Sequence, residues 1–475
     1  MSMDDALRIA VVGHTNAGKT SLLRTLTRRV DFGEVSERPG TTRHVERIEL
    51  MVRGRAAVRF FDTPGLEDAV SLREHIERSG SAPTPPERIR LFLQGPEAHG
   101  VFEQEAKVLR TLLDVDAAFL VIDAREPVLP KYRDEIELLR SCARPVLPVL
   151  NLVRDGASRE AEWKALLAAY GMHAVVRFDA AAPFVGAERD LYQDLVTLLR
   201  DRRAQLEGVI GFLADEFVQR RRAATARVAE LLVDVAATRR TVPAAEFDDE
   251  ARRAPHVAAL RQAVFDQAQR CAGDLLALHG FREDDASEAA LPLLEGRWSM
   301  DFFSPEALKD AGLRLGKGAA VGAAVGVVAD IAAGGLSLGA GAALGGAIGG
   351  ALSQGFGPLG RKLLNRVRDV HELGVEDGVL FVLADWQCQL LRALERRGHA
   401  ATGRIATDTA VDAATSAALA AAVRALAPAR SHPEWERHTG RWRASESSQR
   451  QALVAALSER LQAALRDPGR RAAPD

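Results

Sequence analysis

Cysteine, net charge and aromatic side chains are all scarce in this chain of 475 residues. The three cysteines, Cys142, Cys271 and Cys388, stand far apart with no C-x-x-C pair. That excludes a disulfide framework and a structural zinc set, and it points to a reducing compartment. A formal net charge of −2 leaves no global basic field to argue for nucleic acid. No secretory signal opens the chain: MSMDDALRIA is acidic and leads straight into a strand pattern. A cytoplasmic start is therefore expected. At about 150 residues per domain, the length implies two or three domains.

One stretch organises the rest. Ile9 to Ser21 reads IAVVGHTNAGKTS. An apolar run ends at Gly13, Gly18-Lys19-Thr20 follows at P-loop spacing, and a helical pattern begins at Ser21. Glycines allow backbone N–H groups to wrap a phosphate, and the helix N-terminus adds unpaired donors. Lys19 supplies a point charge for β/γ-phosphates, and the Thr20 hydroxyl can ligate Mg²⁺. Asn16, Ala17 and Ser21 belong to the same binding stretch. Two β-like runs follow, Val45–Val52 and Ala56–Phe61, joined by the turn Arg53-Gly54-Arg55. The second ends in Asp62-Thr63-Pro64-Gly65. Asp62 stands where a Mg²⁺-associated carboxylate is needed, and the Gly65 N–H can meet a γ-phosphate. Two further buried-strand patterns, Ala117–Asp123 and Val146–Asn151, each follow a helical stretch, as in parallel α/β units. Ala174–Phe178 is strand-like, and helix Glu188–Arg200 closes this part.

The set GHTNAGKTS, PGTTR and DTPG resembles a translation-factor-related GTPase of the TrmE–Era group. The resemblance implies GTP as substrate, with hydrolysis to GDP and phosphate. It makes Thr41 or Thr42 the switch threonine that closes on Mg²⁺, with Thr42 preferred. It puts Asn16 where members of the group hold K⁺; a loop-stabilising amide explains Asn16 as well. Leu66 occupies the place of a water-orienting glutamine, so the resemblance implies slow turnover assisted by a monovalent cation or a partner. The base-recognition pattern N-K-x-D is degenerate here, reading Asn151-Leu152-Val153-Arg154-Asp155. Asp155 reaches a base only if the loop bulges, which weakens guanine over adenine. Glu67–Glu105 is long for a second switch. Its Ser/Pro-rich patch and helical piece Pro86–Gln94 read as a variable surface loop or as a contact for a partner or the second half.

From about Arg202 β signals nearly vanish and helical spacing takes over, at Leu206–Thr238 and Val257–His279. Pro243 and Pro255 bracket a polar break. Arg220–Arg222 and Arg239-Arg240 read as solvated helix faces. Residues 318–352 are almost pure glycine and apolar, with glycines stepping by four at Gly318, Gly322, Gly326 and again at Gly341, Gly345, Gly349. Each series lines one helical face and permits close packing. Basic residues flank both ends, which favours a hairpin bending near 330–337 and dipping into a membrane from the cytoplasmic side. A buried Gly/Ala hairpin in a soluble helical domain is the alternative. Helical texture resumes at Val375–Arg397, Thr407–Leu426 and Glu446–Arg466. His432, Glu434 and His438 read as surface loop, not metal ligands.

The expected architecture is an α/β P-loop G domain at 6–202, with a mostly parallel sheet flanked by helices. An all-α C-terminal domain follows at 203–475, with the Gly-rich hydrophobic hairpin. The arrangement resembles a bacterial family in which such a G domain precedes a domain of unknown function. The expected function is a GTP-hydrolysing switch using Mg²⁺ and, by the resemblance, K⁺. Lys19, Thr42 and Gly65 act on the phosphates, and Thr20, Thr42 and Asp62 hold the metal. Membrane lipid, an activating protein and a second copy are the expected partner classes, at the inner face of the membrane. The alternatives are a soluble ribosome or RNA assembly GTPase, and a nucleotide-binding regulator with negligible turnover. Nucleic acid is disfavoured, because the second half offers no basic aromatic platform for RNA.

Overall fold

β1 (Leu7–Val12) is apolar at every position but Arg8, so it can be covered on both faces. In the computed structural model it lies at the centre of a six-stranded sheet ordered β2-β3-β1-β4-β5-β6. β2 (Glu46–Val52) and β3 (Arg55–Asp62) form an antiparallel hairpin across the Arg53-Gly54 turn. β3, β1, β4 (Ala117–Asp123), β5 (Val146–Asn151) and β6 (Val176–Arg177) are mutually parallel. The structure describes residues 6–28, 45–79, 82–154, 156–180, 183–184, 186–281, 293–294, 297–298, 311, 314, 327–329, 370–397, 413–436 and 447–465.

Alternate residues of the strands feed two apolar layers. Ala10, Val12, Leu120 and Ile122 face α4 (Glu103–Leu113), α5 (Pro130–Ser141) and α6 (Glu160–Ala169). Ile9, Val11, Phe60 and Phe119 face α1 (Lys19–Thr27), α7 (Ala187–Leu198) and the start of α8 (Arg203–Ala237). The segment after DTPG is neither loop nor loose insertion. It folds into α2 (Ala69–Ser79) and α3 (Pro85–Gln94), which send Leu72, Ile76, Ile89 and Phe92 into the first layer. Thr84 and Glu87 form a capping box at the start of α3. The His75 ring packs on Phe92 and Phe102 at centroid distances of 5.9 and 5.6 Å.

By contacts the chain divides into two units, the first running to Gln219. The second unit is helical, as expected. It holds the rest of α8, α9 (Ala244–Phe247), α10 (Glu250–Leu278), α11 (Asp377–Glu395), α12 (Ala413–Arg424) and α13 (Ser448–Ala464). Buried polar bonds tie these helices: Arg450 to Asp234 at 2.6 Å, the Thr225 and Ser458 hydroxyls at 2.9 Å, and Gln387 Nε2 to the Ala268 carbonyl at 3.1 Å.

Two expectations need correction here, and the helical second unit also carries short strands. Arg239 and Arg240 do not line a helix; they open strand β7 (Arg239–Pro243). Their guanidinium groups are used internally, on the Arg430 carbonyl and on Glu436. Pro255 lies inside α10 near its start instead of ending a break. The unit is also not purely helical. A two-stranded ladder pairs β8 (Leu293–Leu294) with β9 (Arg297–Trp298), and a three-stranded antiparallel sheet runs β10-β11-β7. β11 (Val370–Val375) is its centre, and β10 is Val327–Ala329. Those three residues of the Gly/Ala stretch are extended, not helical; 318–326 and 330–352 lie outside the described residues, so the hairpin does too. Among the described residues no helix is long and apolar enough to cross a membrane.

The packing of α2 and α3 yields a stability test. Leu72→Ala removes a fully buried side chain and should cost about 2–5 kcal/mol in denaturant unfolding. Leu91→Ala, on the exposed face of α3, should stay within about 0.5 kcal/mol.

Candidate nucleotide-binding site

The parallel strands end on one edge, where open α/β sheets bind ligands. There the loop His14–Gly18 follows β1, Thr63–Gly65 follows β3 and Leu152 follows β5. Gly18 caps α1 in the left-handed conformation, with φ +88°. A Cβ on it would lie 2.3 Å from the Asn151 amide nitrogen, so only glycine fits. Asn16 is also left-handed, at φ 65°, a conformation in which asparagine is enriched. That backbone reason stands beside the K⁺ role the resemblance implies.

Lys19 is 7 % exposed, and its ammonium donates to the carbonyls of Gly13 (3.0 Å) and His14 (3.1 Å). Burial pulls its pKa down, while Asp62 and Glu135 pull it back up. The Thr20 hydroxyl donates to Asp62 Oδ2 at 2.6 Å. Asp62 is 1 % exposed and its Oδ1 is buried with no hydrogen-bond partner. Burial pushes its carboxyl up to about 6, against the Thr20 bond and Lys19. A hydroxyl and a half-unpaired carboxylate side by side suit a hard cation with oxygen ligands, as Mg²⁺ requires. Ser21 follows in the first turn of α1.

Gly65 touches the phosphate loop directly. A Cβ there would meet Thr15 Oγ1 at 2.4 Å and Thr15 N at 2.8 Å. Asn151 is a brace: its Nδ2 donates to the Ala17 carbonyl at 3.0 Å. Its Oδ1 accepts from Leu152 N at 3.0 Å and Ala180 N at 2.9 Å. One amide thus joins the loops after β1, β5 and β6. Leu152, where the GTPase pattern has lysine, is held at φ 58°. Thr41, Thr42 and Asp155 lie outside the described residues. His432 pairs with Glu434 at 2.6 Å and stacks on Trp435, while His438 lies outside. No metal-holding group of three His, Cys, Asp or Glu occurs among the described residues.

Sequence reasoning missed two partners of the loop. His14 Nδ1 lies 3.2 Å from the Leu66 carbonyl, and its Nε2 lies 2.9 Å from the Lys131 ammonium. A neutral ring donating through Nδ1 and accepting at Nε2 satisfies both. Burial and Lys131 hold its pKa below the usual histidine value. Glu135 is 3 % exposed, on α5 beside the loop. The signal was available: Glu135 falls on the buried helical stripe of Tyr132, Ile136 and Leu139.

Burial pushes Glu135 up from 4.5 to about 7, against the pull of Lys19 and Lys131. The raised folded value means the native protein holds this proton while the unfolded chain has released it. Stability therefore falls as pH rises from about 4.5 to about 7, and stays lower above. Glu135→Gln should flatten that slope, raising the stability of the nucleotide-free protein at pH 8 by up to about 3 kcal/mol and its melting temperature with it. Scans of both proteins from pH 5 to 8 check this. Asn151→Ala should weaken nucleotide binding and cost about 1–3 kcal/mol of stability, measured by titration with a fluorescent nucleotide and by denaturation.

Comparison with known proteins follows the same division. Residues 8–152 match a family described as a 50S ribosome-binding GTPase. Residues 164–459, more than half of the chain, match a domain of unknown function, DUF3482. The latter match begins inside α6, so it takes in β6 and α7 of the sheet. The tRNA modification GTPase MnmE of Rhizobium meliloti (strain 1021) is 36 % identical over 117 residues, 24 % of this chain and 26 % of that protein. GTPase Der of Geobacter sp. (strain M21) is 30 % identical over 154 residues, 32 % of this chain and 28 % of that one. The probable GTP-binding protein EngB of Anaeromyxobacter sp. (strain Fw109-5) is 31 % identical over 185 residues, 38 % of this chain and 74 % of that one. The chain thus spans about a quarter of the length of the MnmE and Der relatives and about three quarters of EngB. With a phosphate loop of this geometry and both matches in register, the chain belongs to the family of P-loop GTPases whose G domain is followed by the DUF3482 domain.

Proposed function

We propose that this protein is a nucleotide switch that hydrolyses GTP to GDP and phosphate. Its G domain is 6–202 and its helical domain 203–475. The observation that carries the reading is the Thr20–Asp62 pair beside buried Lys19, with Asp62 Oδ1 unpaired. Magnesium, when bound, neutralises phosphate charge there. Lys19 and the amides from Gly13 to Thr20 hold the β- and γ-phosphates, and Ser21 closes the loop on the helix side. Thr42 would complete the metal's ligands, and the Gly65 N–H would meet the γ-phosphate. Asn151 holds the loop under the base, with Asp155 as the carboxylate for guanine. Leu66 is apolar and 1 % exposed, so it orients no water. Turnover is therefore slow unless K⁺ at Asn16 or an activating partner assists.

The helical half is the output. The basic flanks and four-residue glycine steps of 318–352 support a membrane contact made by that stretch. Its deletion should abolish co-sedimentation with anionic liposomes.

Phosphate release from GTP should be measurable in KCl and several-fold slower in NaCl. Lys19→Ala should lose GTP affinity by about a hundredfold. Thr42→Ala should slow hydrolysis while leaving GDP affinity within about twofold. GTP affinity unchanged in Lys19→Ala would defeat the reading.

A further inference from the structure

Behind the phosphate loop lies a cavity of about 260 Å³, between the loop, the end of β4 and the start of α5. Lys19, Thr20, Asp62 and Asn151 do not line it. Two buried oxygens at its walls have no hydrogen-bond partner, Glu135 Oε1 and Thr15 Oγ1. Leaving such groups unpaired is costly, and a carboxylate is the worse case. Aromatic rings also line it: Tyr132, one turn before Glu135 on α5, and Trp163 meet edge to face with centroids 4.9 Å apart.

We propose that this cavity is a second ligand site, sharing the loop His14–Ala17 with the nucleotide site, for a small organic cation with an ammonium head and an apolar body. The choice follows by elimination. An anion would face Glu135, Glu126 and Asp123, while the cation on the lining, Lys131, is engaged by His14 at 2.9 Å and lies over the Tyr132 ring. A coordinated metal lacks ligands, since no three acidic, histidine or cysteine side chains converge among the described residues. A neutral apolar molecule leaves Glu135 Oε1 without a hydrogen bond. An ammonium group pairs with Glu135, and the aromatic wall takes the apolar body and adds a cation–π attraction. A cavity of about 150 Å³ holds benzene, so this one accommodates an amine of about ten heavy atoms. Burial of Glu135 raises the gain on pairing, because the charge is weakly screened there. Any occupant touches the back of Thr15, Asn16 and Ala17, so it changes nucleotide affinity, and nucleotide changes its affinity by the same factor.

The probe is phenethylamine, with 2-phenylethanol as its neutral counterpart, titrated calorimetrically into the GDP-loaded full chain. The amine should bind with GDP in place, at least tenfold more tightly than the alcohol. Glu135→Gln, shown to be folded by its melting transition, should lose at least tenfold in amine affinity. The proposal is overturned if the amine does not bind, if GDP and the amine exclude each other, or if Glu135→Gln binds it equally well. Should GDP itself fail to bind, the switch reading falls, and the same titration on nucleotide-free protein still decides the cavity.

Discussion

Burying the ammonium of Lys19 is the demand that shapes this fold. A lysine 7 % exposed needs compensation on every side, because a desolvated charge costs several kcal/mol. Two carbonyls of its own loop supply part, and Asp62 and Glu135 supply the opposing charge. Neither carboxylate is close in sequence; one comes from β3 and one from α5. The sheet exists, in this sense, to bring them there. Parallel pairing of β1 with β3 sets Val11 against Asp62, and the Thr63 hydroxyl locks on the Val11 carbonyl at 2.8 Å. A register slip of one residue would turn Asp62 to the other face and strand the lysine.

The carboxylates in turn are poorly paired. Asp62 Oδ1 and Glu135 Oε1 both lack a hydrogen-bond partner, and burial raises both pKa values. Unpaired buried atoms also occur at Arg88, Ser158 and Tyr192, but among the described residues of the first unit the carboxylates left with one are these two, at one edge of the sheet. That concentration, more than the size of the pocket, marks the edge as functional, since perturbed carboxylates gather where ligands supply the missing partners.

What was legible in the sequence was what is local. β4 and β5 run over Ala117–Asp123 and Val146–Asn151, as the short apolar runs between helical stretches indicate. The β2–β3 hairpin turns at Arg53-Gly54 because both residues take left-handed φ, which the dipeptide permits. The phosphate loop, Thr20 and Asp62 were readable from spacing alone. Contacts made at long range were not. Nothing in the string GHTNAGKT says that His14 will meet a carbonyl 52 residues on and an ammonium 117 residues on. Arg239 and Arg240 carry the look of a solvated face, yet their partners at 430 and 436 make them strand residues with internal bonds. Asn151 reads as a base ligand from its motif. In the fold it is first a tie among three loops.

The second switch shows how these ties limit motion. On its upstream side Thr63 is bonded to Val11. On its downstream side the Asp68 N–H is bonded to Glu105, and α2 is anchored by Leu72 and Ile76 in the core. Between these anchors only Pro64 to Glu67 remain, and two of those four are already docked, Gly65 on Thr15 and the Leu66 carbonyl on His14. On the proposed reading, a change at the γ-phosphate position would act first on Gly65. Because Leu66 is the next residue, displacement of Gly65 pulls directly on His14, and through His14 on Lys131 and α5. The path is short and every link is a named contact. It runs along α5 into the wall of the cavity behind the loop, where Tyr132 touches both His14 and Trp163. On the proposed reading, nucleotide state and the shape of the cavity would draw on this one set of contacts.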